Sequence, residues 1–469
     1  MKTSQWHLKI GQSLTLTIKK MGINGEGIGY WRNHVIFVPQ VLPGEIATIE
    51  ITHIAPNYLR GRLIKLKKTS PHRNLQPSVL AKQVGGLELA HLLYPQQLSY
   101  KQAMLHEALR HFRPRGWQKY HIQPTIGMND PWHYRNKAQF PIRIVNGKLI
   151  CGLFKPGSHT IVDCLEMPTQ GSLTLSILQR LVPLIQSFNL PIYQPESNSG
   201  ILKTLVVREN PSTNQAQLTF ITNSWKLPQK RALIAAIHQK IPEVISIAQN
   251  FNPGTTSLIW GTDTKILWGQ SHLIETIGKI QFQLSPAAFF QLNLTQTEKL
   301  YQVVQQMLNP RPTDTIVDAY AGVGTIGLSL AAQVQTVIGS EISSAAVRDA
   351  NANAELNHLT NAHYECGRTA QLYPQWLQRG LQPSAVIVDP PRTGLEPEFL
   401  QFLNQSHLSK IIYLSCNPST WARDLRTLSQ VYHIQTIQPV DMFPQTPHVE
   451  SVTLLKRRRS SKQSNRNFE

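Results

Sequence analysis

At 469 residues the chain is too long for one ordinary hydrophobic core, so two or three domains are expected. A hydrophobic content of 41% suits a water-soluble protein, and no uncharged apolar run reaches the roughly 18 residues needed to cross a bilayer. Lys+Arg 46 against Asp+Glu 27 gives a formal net charge of +19, an excess that favours a polyanionic partner, nucleic acid ahead of an acidic membrane surface.

The opening MKTSQWHLKI has no apolar h-region, so no secretory signal is expected and a cytoplasmic location follows. Residues 1–67 alternate in strand fashion between Gly-rich turns, as in LTLTIKK and EIATIEITHI, and predict a small β-barrel. Its basic residues, Lys19, Lys20, Arg32, Arg60, Arg62, Lys65, Lys67 and Lys68, suit a nucleic-acid backbone. Residues 68–94 read as a linker. The stretch 95–113, PQQLSYKQAMLHEALRHFR, carries apolar residues at helical spacing, and this helix is expected to pack on the C-terminal α/β domain. Residues 125–290 are mixed and strand-rich, so 68–290 is expected to form a central α+β region in which Arg135, Lys137 and Arg208 either meet phosphates or are solvated. From about 313 onward, short apolar runs alternate with helical patterns: TIVDAY, TVIGSE, AHYECG, AVIVDP, KIIYLSC and a final VESVTLL. That pattern predicts a parallel, doubly wound α/β domain over 291–456. The basic end, 457–469, reads as a disordered tail.

The α/β region carries the chemistry. In TIVDAYAGVGTIGL a strand ends at Asp318, and Gly322 and Gly324 let the following turn approach a ligand closely. Glu341 ends the next strand, where a carboxylate binds the hydroxyls of a ribose. GVGTIG alone fits the spacing of dinucleotide binders. The wider set of signals favours S-adenosylmethionine, whose positive sulfonium suits an acidic loop. Asp389, in DPPRTGL, stands at the carboxyl end of the fourth strand, and Pro390-Pro391 with Arg392 stiffens the turn. Cys416 holds the same position on the next strand, in LSCNPSTWARDL, so Asp389 and Cys416 are expected to emerge side by side. Cys416 precedes a helix, whose N-terminus is expected to lower the thiol pKa and favour the nucleophilic thiolate. In FPQTPHVESVTLL, His448 and Glu450 precede the last strand, and Glu450 is a candidate base. The other cysteines, Cys151, Cys164 and Cys366, make neither a CxxC pair nor a zinc spacing, and Cys151 and Cys366 read as core residues.

Taken in order, DAYAGVGTIGL, DPPRTGL, LSCNPSTWARDL and FPQTPHVESVTLL resemble the motifs of the S-adenosylmethionine-dependent RNA uracil-C5 methyltransferases. The bacterial enzymes acting on 23S rRNA are the most similar. WHYRNKAQFP, GLFKPGSHTIVD and FQLSPAAFFQLN resemble stretches of their central region, and residues 1–67 resemble an OB-like TRAM domain. The resemblance implies a Rossmann-like methyltransferase domain and roles for single residues. Gln291, Tyr320, Glu341 and Asp389 match cofactor contacts, Cys416 the nucleophile and Glu450 the general base. The implied partner is RNA, 23S rRNA first, with no membrane and no obligatory protein partner. The implied reaction gives 5-methyluridine through addition of Cys416 to uracil C6, on a base flipped out of its stack.

One stretch departs from the pattern. Many members hold an iron–sulfur cluster on four cysteines, and here LAKQVGGLELAHL places Val84 and Leu87 beside the Gly-Gly pair. Ala81 and Met167 stand for outlying ligands, and Cys164 is out of register, so no cluster and no metal are expected. A cytosine-C5 enzyme would carry a Pro-Cys nucleophile, and no Pro-Cys occurs. A tRNA uracil-C5 enzyme and a non-catalytic RNA-binding protein are the remaining alternatives.

Overall fold

The structure, a computed structural model, describes residues 8–32 and 34–458. Of the basic end expected to be a tail, 457–469, Arg457 belongs to the last strand, and the residues from 459 on lie outside the described residues.

Strands β1 (Ser13–Met21), β2 (Gly27–Trp31), β3 (His34–Val38), β4 (Ile46–Ile54) and β5 (Tyr58–Lys68) close into a barrel in the order β1-β2-β3-β5-β4. Only β3 and β5 run parallel. In β1, Leu14, Leu16 and Ile18 point inward and the residues between them face solvent. The barrel core is completed by Ile36, Val38, Ala47, Ile49, Ile51 and Leu59. Closure removes the free edges that an open sheet of this size would expose. All eight basic residues named above lie exposed on its outside.

Helix α1 (Tyr94–Phe112) leads into strands β6 (Lys137–Val145), β7 (Lys148–Phe154) and β8 (Ile161–Asp163), helix α2 (Ser172–Ser187), and strands β9 (Leu202–Asn210) and β10 (Gln215–Thr222). Helix α3 (Lys230–Lys240) and strands β11 (Val244–Phe251) and β12 (Asp263–Gly269) follow. The strands form a seven-stranded sheet in the order β12-β11-β10-β9-β6-β7-β8. Ile177, Leu178, Leu181 and Ile185 of α2 share one core with Phe140, Ile142, Leu205, Val207, Leu218 and Phe220 of the sheet. Leu80, Val84, Leu87, Cys164 and Met167 belong to that same core, so apolar side chains hold the Gly-Gly stretch in place. Among the described residues no group of three or more His, Cys, Asp or Glu is placed to hold a metal ion.

A hairpin, β13 (Leu273–Ile277) and β14 (Ile280–Leu284), precedes helix α4 (Leu294–Leu308). Then strand and helix alternate: β15 (Thr315–Ala319), α5 (Thr325–Ala331), β16 (Thr336–Glu341), α6 (Ser344–Leu356), β17 (Ala362–Cys366), α7 (Thr369–Gln378), β18 (Ala385–Val388), α8 (Pro397–Gln405), β19 (Lys410–Ser415) and α9 (Pro418–Leu428). Strands β20 (Tyr432–Val440) and β21 (Glu450–Arg457) complete a sheet in the order β17-β16-β15-β18-β19-β21-β20. Ala385 and Ile387 of β18 enter a core with α4, α5 and α6, and Val386 and Val388 enter one with α7, α8 and α9. Both faces are covered, which is why these strands read as unbroken apolar runs. Leu105 and Leu109 place α1 in the second core, far along the chain from the helices it joins.

The last strand corrects one expectation. VESVTLL was expected to extend a parallel sheet, and β21 instead runs antiparallel to both β19 and β20. No helix separates β20 from β21, and a parallel pair needs a crossover longer than the loop that joins them.

Candidate functional site

The carboxyl ends of β15, β16, β18 and β19 open on one edge of the sheet, where open α/β sheets bind ligands. Asp318, on the last turn of β15, is buried, and its Oδ2 accepts from the Gly327 amide at 2.9 Å. Burial pushes its carboxyl up to about 7, with Asp389 and Glu341 adding to the effect. The chain then turns through Tyr320, Gly322 and Gly324 at φ of 63, 58 and 81°. These values favour glycine, and a Cβ on Gly322 would project into open space on the ligand side. The Tyr320 hydroxyl is buried with no hydrogen-bond partner. Glu341, at the end of β16, closes the loop from beside it. Its Oε2 accepts from the Gly322 amide at 3.1 Å and its Oε1 from the Ser343 amide at 2.8 Å. Each carboxylate oxygen keeps further acceptor capacity. Ile342, next in sequence, is an apolar side chain left 72% exposed at the same edge.

Gln291 is buried on the loop between β14 and α4. Asn136 holds this loop from both sides: its Nδ2 donates to the Gln291 carbonyl at 3.1 Å, and its amide donates to the Leu292 carbonyl at 3.0 Å.

A second group of side chains stands beside this cradle. The register pairs Val388 with Tyr413 across β18 and β19, and Ser415 with Ser451 across β19 and β21. Asp389, Cys416 and Glu450 therefore leave adjacent strands at one place. Burial pushes Glu450 up to about 8, with Asp389 adding to the rise and Arg392 opposing it. Burial pushes Asp389 up to about 6. Arg392 is the cation facing them, and its Nη2 lies 3.4 Å from Nε2 of His448. Partial burial, then Arg392, Lys101 and Arg135, push His448 down to about 4, so its imidazole is neutral at physiological pH. The Arg392 carbonyl accepts from Asn417 Nδ2 at 2.9 Å and from the Thr420 hydroxyl at 3.1 Å, tying the diproline turn to the start of α9.

The expectation of a low thiol pKa is not met. Burial, then Glu450 and Asp389, push the Cys416 thiol up to about 11, and Arg392 offsets only part of this. The helix start is screened by its own cap. Asn417 is the N-cap and accepts from the Ser419 amide at 3.1 Å, while the Asn417 amide is taken by the Ser415 hydroxyl at 3.1 Å. Two of the amides near the thiol are thus already engaged, and the Cys416 amide, which favours the thiolate, offsets little of the rise.

The loop leading to Glu450 is braced by α1, the helix expected to pack on the α/β domain, through polar residues that were not singled out in the sequence. The Lys101 ammonium, fully buried, pairs with Asp441 and donates to the Phe443 carbonyl at 3.0 Å. The Tyr94 hydroxyl donates to Asp441 Oδ2 at 2.9 Å, and Gln97 donates to Gln445 Oε1 at 2.9 Å. The signal was present, since Gln97 and Lys101 continue the buried stripe of Leu105 and Ala108 at helical spacing. Two other expectations are revised. Arg208 is neither solvated nor at the surface: it is buried and donates to the Ser285 and Ala288 carbonyls of the Gln291 loop. Lys137 stacks over the Trp260 ring at 5.0 Å. Cys151 is buried as expected, whereas Cys366 is exposed at the tip of β17.

Comparison with known proteins bears on the family and the fold. The family model described as tRNA (Uracil-5-)-methyltransferase matches residues 258–369 and 377–458, and the TRAM domain model matches 7–64. A Lactiplantibacillus plantarum protein described as an uncharacterized RNA methyltransferase is 47% identical over 451 residues, 96% of this chain and 94% of the relative. An Enterococcus faecalis protein with the same description is 45% identical over 455 residues, 97% and 100% of the two chains. Among solved structures, the Pyrococcus abyssi tRNA (uracil-54, C5)-methyltransferase in complex with S-adenosyl-L-homocysteine aligns with a TM-score of 0.76 at 26% identity. That alignment covers 94% of this chain and 100% of the other.

Proposed function

This chain belongs to the S-adenosylmethionine-dependent RNA uracil-C5 methyltransferase family, and from that premise we propose that it methylates C5 of a uridine in 23S rRNA, with Cys416 as nucleophile and Glu450 as general base. The observation carrying the proposal is the convergence of Asp389, Cys416 and Glu450 from three adjacent strands beside an acidic, open-fronted loop.

The residues present fit S-adenosylmethionine. Glu341 is placed for the ribose hydroxyls, and Ile342 offers an apolar face beside it. Asp318 and Asp389 are buried carboxyls whose ionised form a positive sulfonium favours, Gln291 and the Tyr320 hydroxyl add polar contacts, and Gly322 and Gly324 let the main chain approach. When bound, the cofactor supplies an electrophilic methyl group.

The protein's own side chains manage the rest. Cys416 releases its thiol proton to solvent, with Arg392 the cation that favours the thiolate. The sulfur then forms a bond to C6 of the uracil, and the ring's electrons make C5 nucleophilic towards the methyl group. Glu450 removes the C5 proton, the C6–sulfur bond breaks, and the thiolate returns. A carboxyl held near 8 is a base matched to a neutral working pH.

The direct test is methyl transfer from labelled S-adenosylmethionine to unmodified 23S rRNA and, separately, to unmodified tRNA, with the product located by nuclease digestion and mass spectrometry. 5-Methyluridine in the ribosomal RNA is the expected result. The printed name of the Pyrococcus abyssi structure favours tRNA as the second reading. Product in tRNA alone moves the substrate and keeps the chemistry. With no product in either RNA and cofactor binding intact, the catalytic assignment fails.

A further inference from the structure

Beside Cys416 the surface opens into a cleft of about 450 Å³ that extends well beyond the thiol. One wall is the barrel turn between β1 and β2, with Ile23 and Asn24, and the other is α1, with Met104 and Phe112. The two walls are bonded together, since the Tyr100 hydroxyl of α1 donates to the Gly22 carbonyl at 2.5 Å. Ile23 is 68% exposed, an apolar side chain aimed at a catalytic cleft. Along the same helix the cleft meets a second hollow, lined by Arg110, Arg113 and Arg426. Glu107, His111 and Phe112 line both, and Glu107, already paired with Arg110, is the only carboxylate among the described residues lining either.

The groove thus runs from a nucleophile, through a stretch walled by Ile23, Met104 and Phe112, to a group of cations. That sequence of surfaces matches one strand of RNA: a reacting base, a neighbouring base, and phosphates. Base-on-aromatic stacking is tolerant of sequence and strengthens binding by about 5- to 150-fold per base. We infer that this groove seats the nucleotide adjoining the target uridine, with its base between Ile23 and Phe112 and the strand's phosphates on Arg113 and Arg426. The inference rests on the RNA methyltransferase reading above. It makes the barrel a wall of the active-site approach, and it assigns α1 a part in choosing which uridine is modified.

The experiment compares the full-length wild type with Met104→Trp, which fills this stretch, and with the doubly substituted Arg113→Gln/Arg426→Gln, which changes only exposed cations. The probe is unmodified 23S rRNA transcript, or tRNA transcript if that is the RNA methylated. RNA affinity is read by filter binding across a salt series, and KM and kcat by methyl transfer. Cofactor affinity, by calorimetry, and melting temperature serve as controls. Met104→Trp is expected to weaken RNA binding and raise KM about tenfold while kcat and cofactor affinity hold. It is also expected to lose the wild type's discrimination among transcripts altered next to the mapped uridine. The arginine pair is expected to flatten the salt dependence by about 1.4 in log–log slope, roughly 0.7 for each single-strand phosphate contact. Wild-type affinity, salt slope and flanking preference in both variants would overturn the inference and leave the methyltransferase reading intact. A wild type that binds RNA without methylating it would overturn that reading, while the binding series would still decide the groove. A wild type that binds neither RNA would overturn both.

Discussion

Cys416 shows how a single residue's chemistry is set by its neighbours in space. Its thiol is raised by burial and by Glu450 and Asp389, which lie 34 and 27 positions away in the numbering. Replacing Cys416 with Ala removes the bond to C6 and is expected to lower methyl transfer at least about 1,000-fold, with cofactor affinity unchanged by calorimetry. Retained transfer in that variant would remove Cys416 from the mechanism. Glu450→Gln leaves the sulfur able to add but withholds the base, so a covalent protein–RNA adduct should accumulate and survive a denaturing gel. If the variant is inactive without any adduct, Glu450 acts before the addition. Both the thiol, near 11, and the Glu450 carboxyl, near 8, react in their ionised forms. The rate at saturating substrates should therefore rise as pH increases from about 6.5 to 9, and a flat profile would show that both groups ionise early in the complex. The positions of Asp318, Glu341, Asp389, Cys416 and Glu450 were legible because each sits at a strand end or start that the apolar runs mark. The thiol's state was not, because the cap that engages the helix amides and the carboxylates that oppose ionisation are tertiary facts.

At the scale of elements, α1 marks how far pattern reaches. Its helical period and its packing on the α/β domain were legible, and its individual polar partners were not. Lys101 meets Asp441 across 340 positions, a separation at which local sequence carries no information. Lys101→Met leaves a buried carboxylate with only Tyr94 beside it and is expected to cost about 3–5 kcal/mol. The change should appear as a lower urea midpoint. The double variant Lys101→Met/Asp441→Leu should recover most of the loss, because an apolar pair replaces the ionic one without leaving a charge unpaired. If the double variant is as unstable as the single, the pair is not what holds the helix to the loop. Strand direction is a similar case. VESVTLL carries the same apolar alternation whichever way it runs, and the short β20–β21 connection decided it. Cys366 was misread for a related reason. Its inward phase on β17 is right, since Ala362 and Tyr364 are buried, but the strand ends beyond the helices that would cover it.

For the whole molecule, the buried acids set a pH dependence of folding. Burial raises Asp389 to about 6, Asp318 to about 7, and Glu275 and Glu450 to about 8. The folded chain therefore holds protons that the unfolded chain has released, and stability falls as pH rises through this range. Glu45 and Glu243 are lowered, and their contribution changes only at more acidic pH, below the ordinary carboxylate range. Lys137, lowered to about 6, and His91 and His448, lowered to about 4, act in the opposite sense, because there the unfolded chain holds protons that the folded chain lacks. The acids' part in the gap in melting temperature between about pH 5.5 and pH 8.5 is read in Glu275→Gln, which should lose less on going to pH 8.5 than the wild type does. Saturating S-adenosylmethionine should narrow the gap more than its neutral demethylated product, because a positive ligand favours the ionised carboxylates. Equal shifts with both ligands would place the sulfonium away from these acids. The three-part layout was legible in outline, since the β alternation, the mixed middle and the apolar runs each have their own period. How the parts meet was not, because those contacts rest on Tyr100, Lys101 and Asn136, polar residues whose partners lie far away in the chain.

The apolar packing of Leu80, Val84, Leu87 and Met167 around the Gly-Gly stretch has a bearing on assembly as much as on the final fold. A loop secured by its own side chains takes its shape when the sheet and helix around it collapse, so its place in the order of folding is that of the core it belongs to.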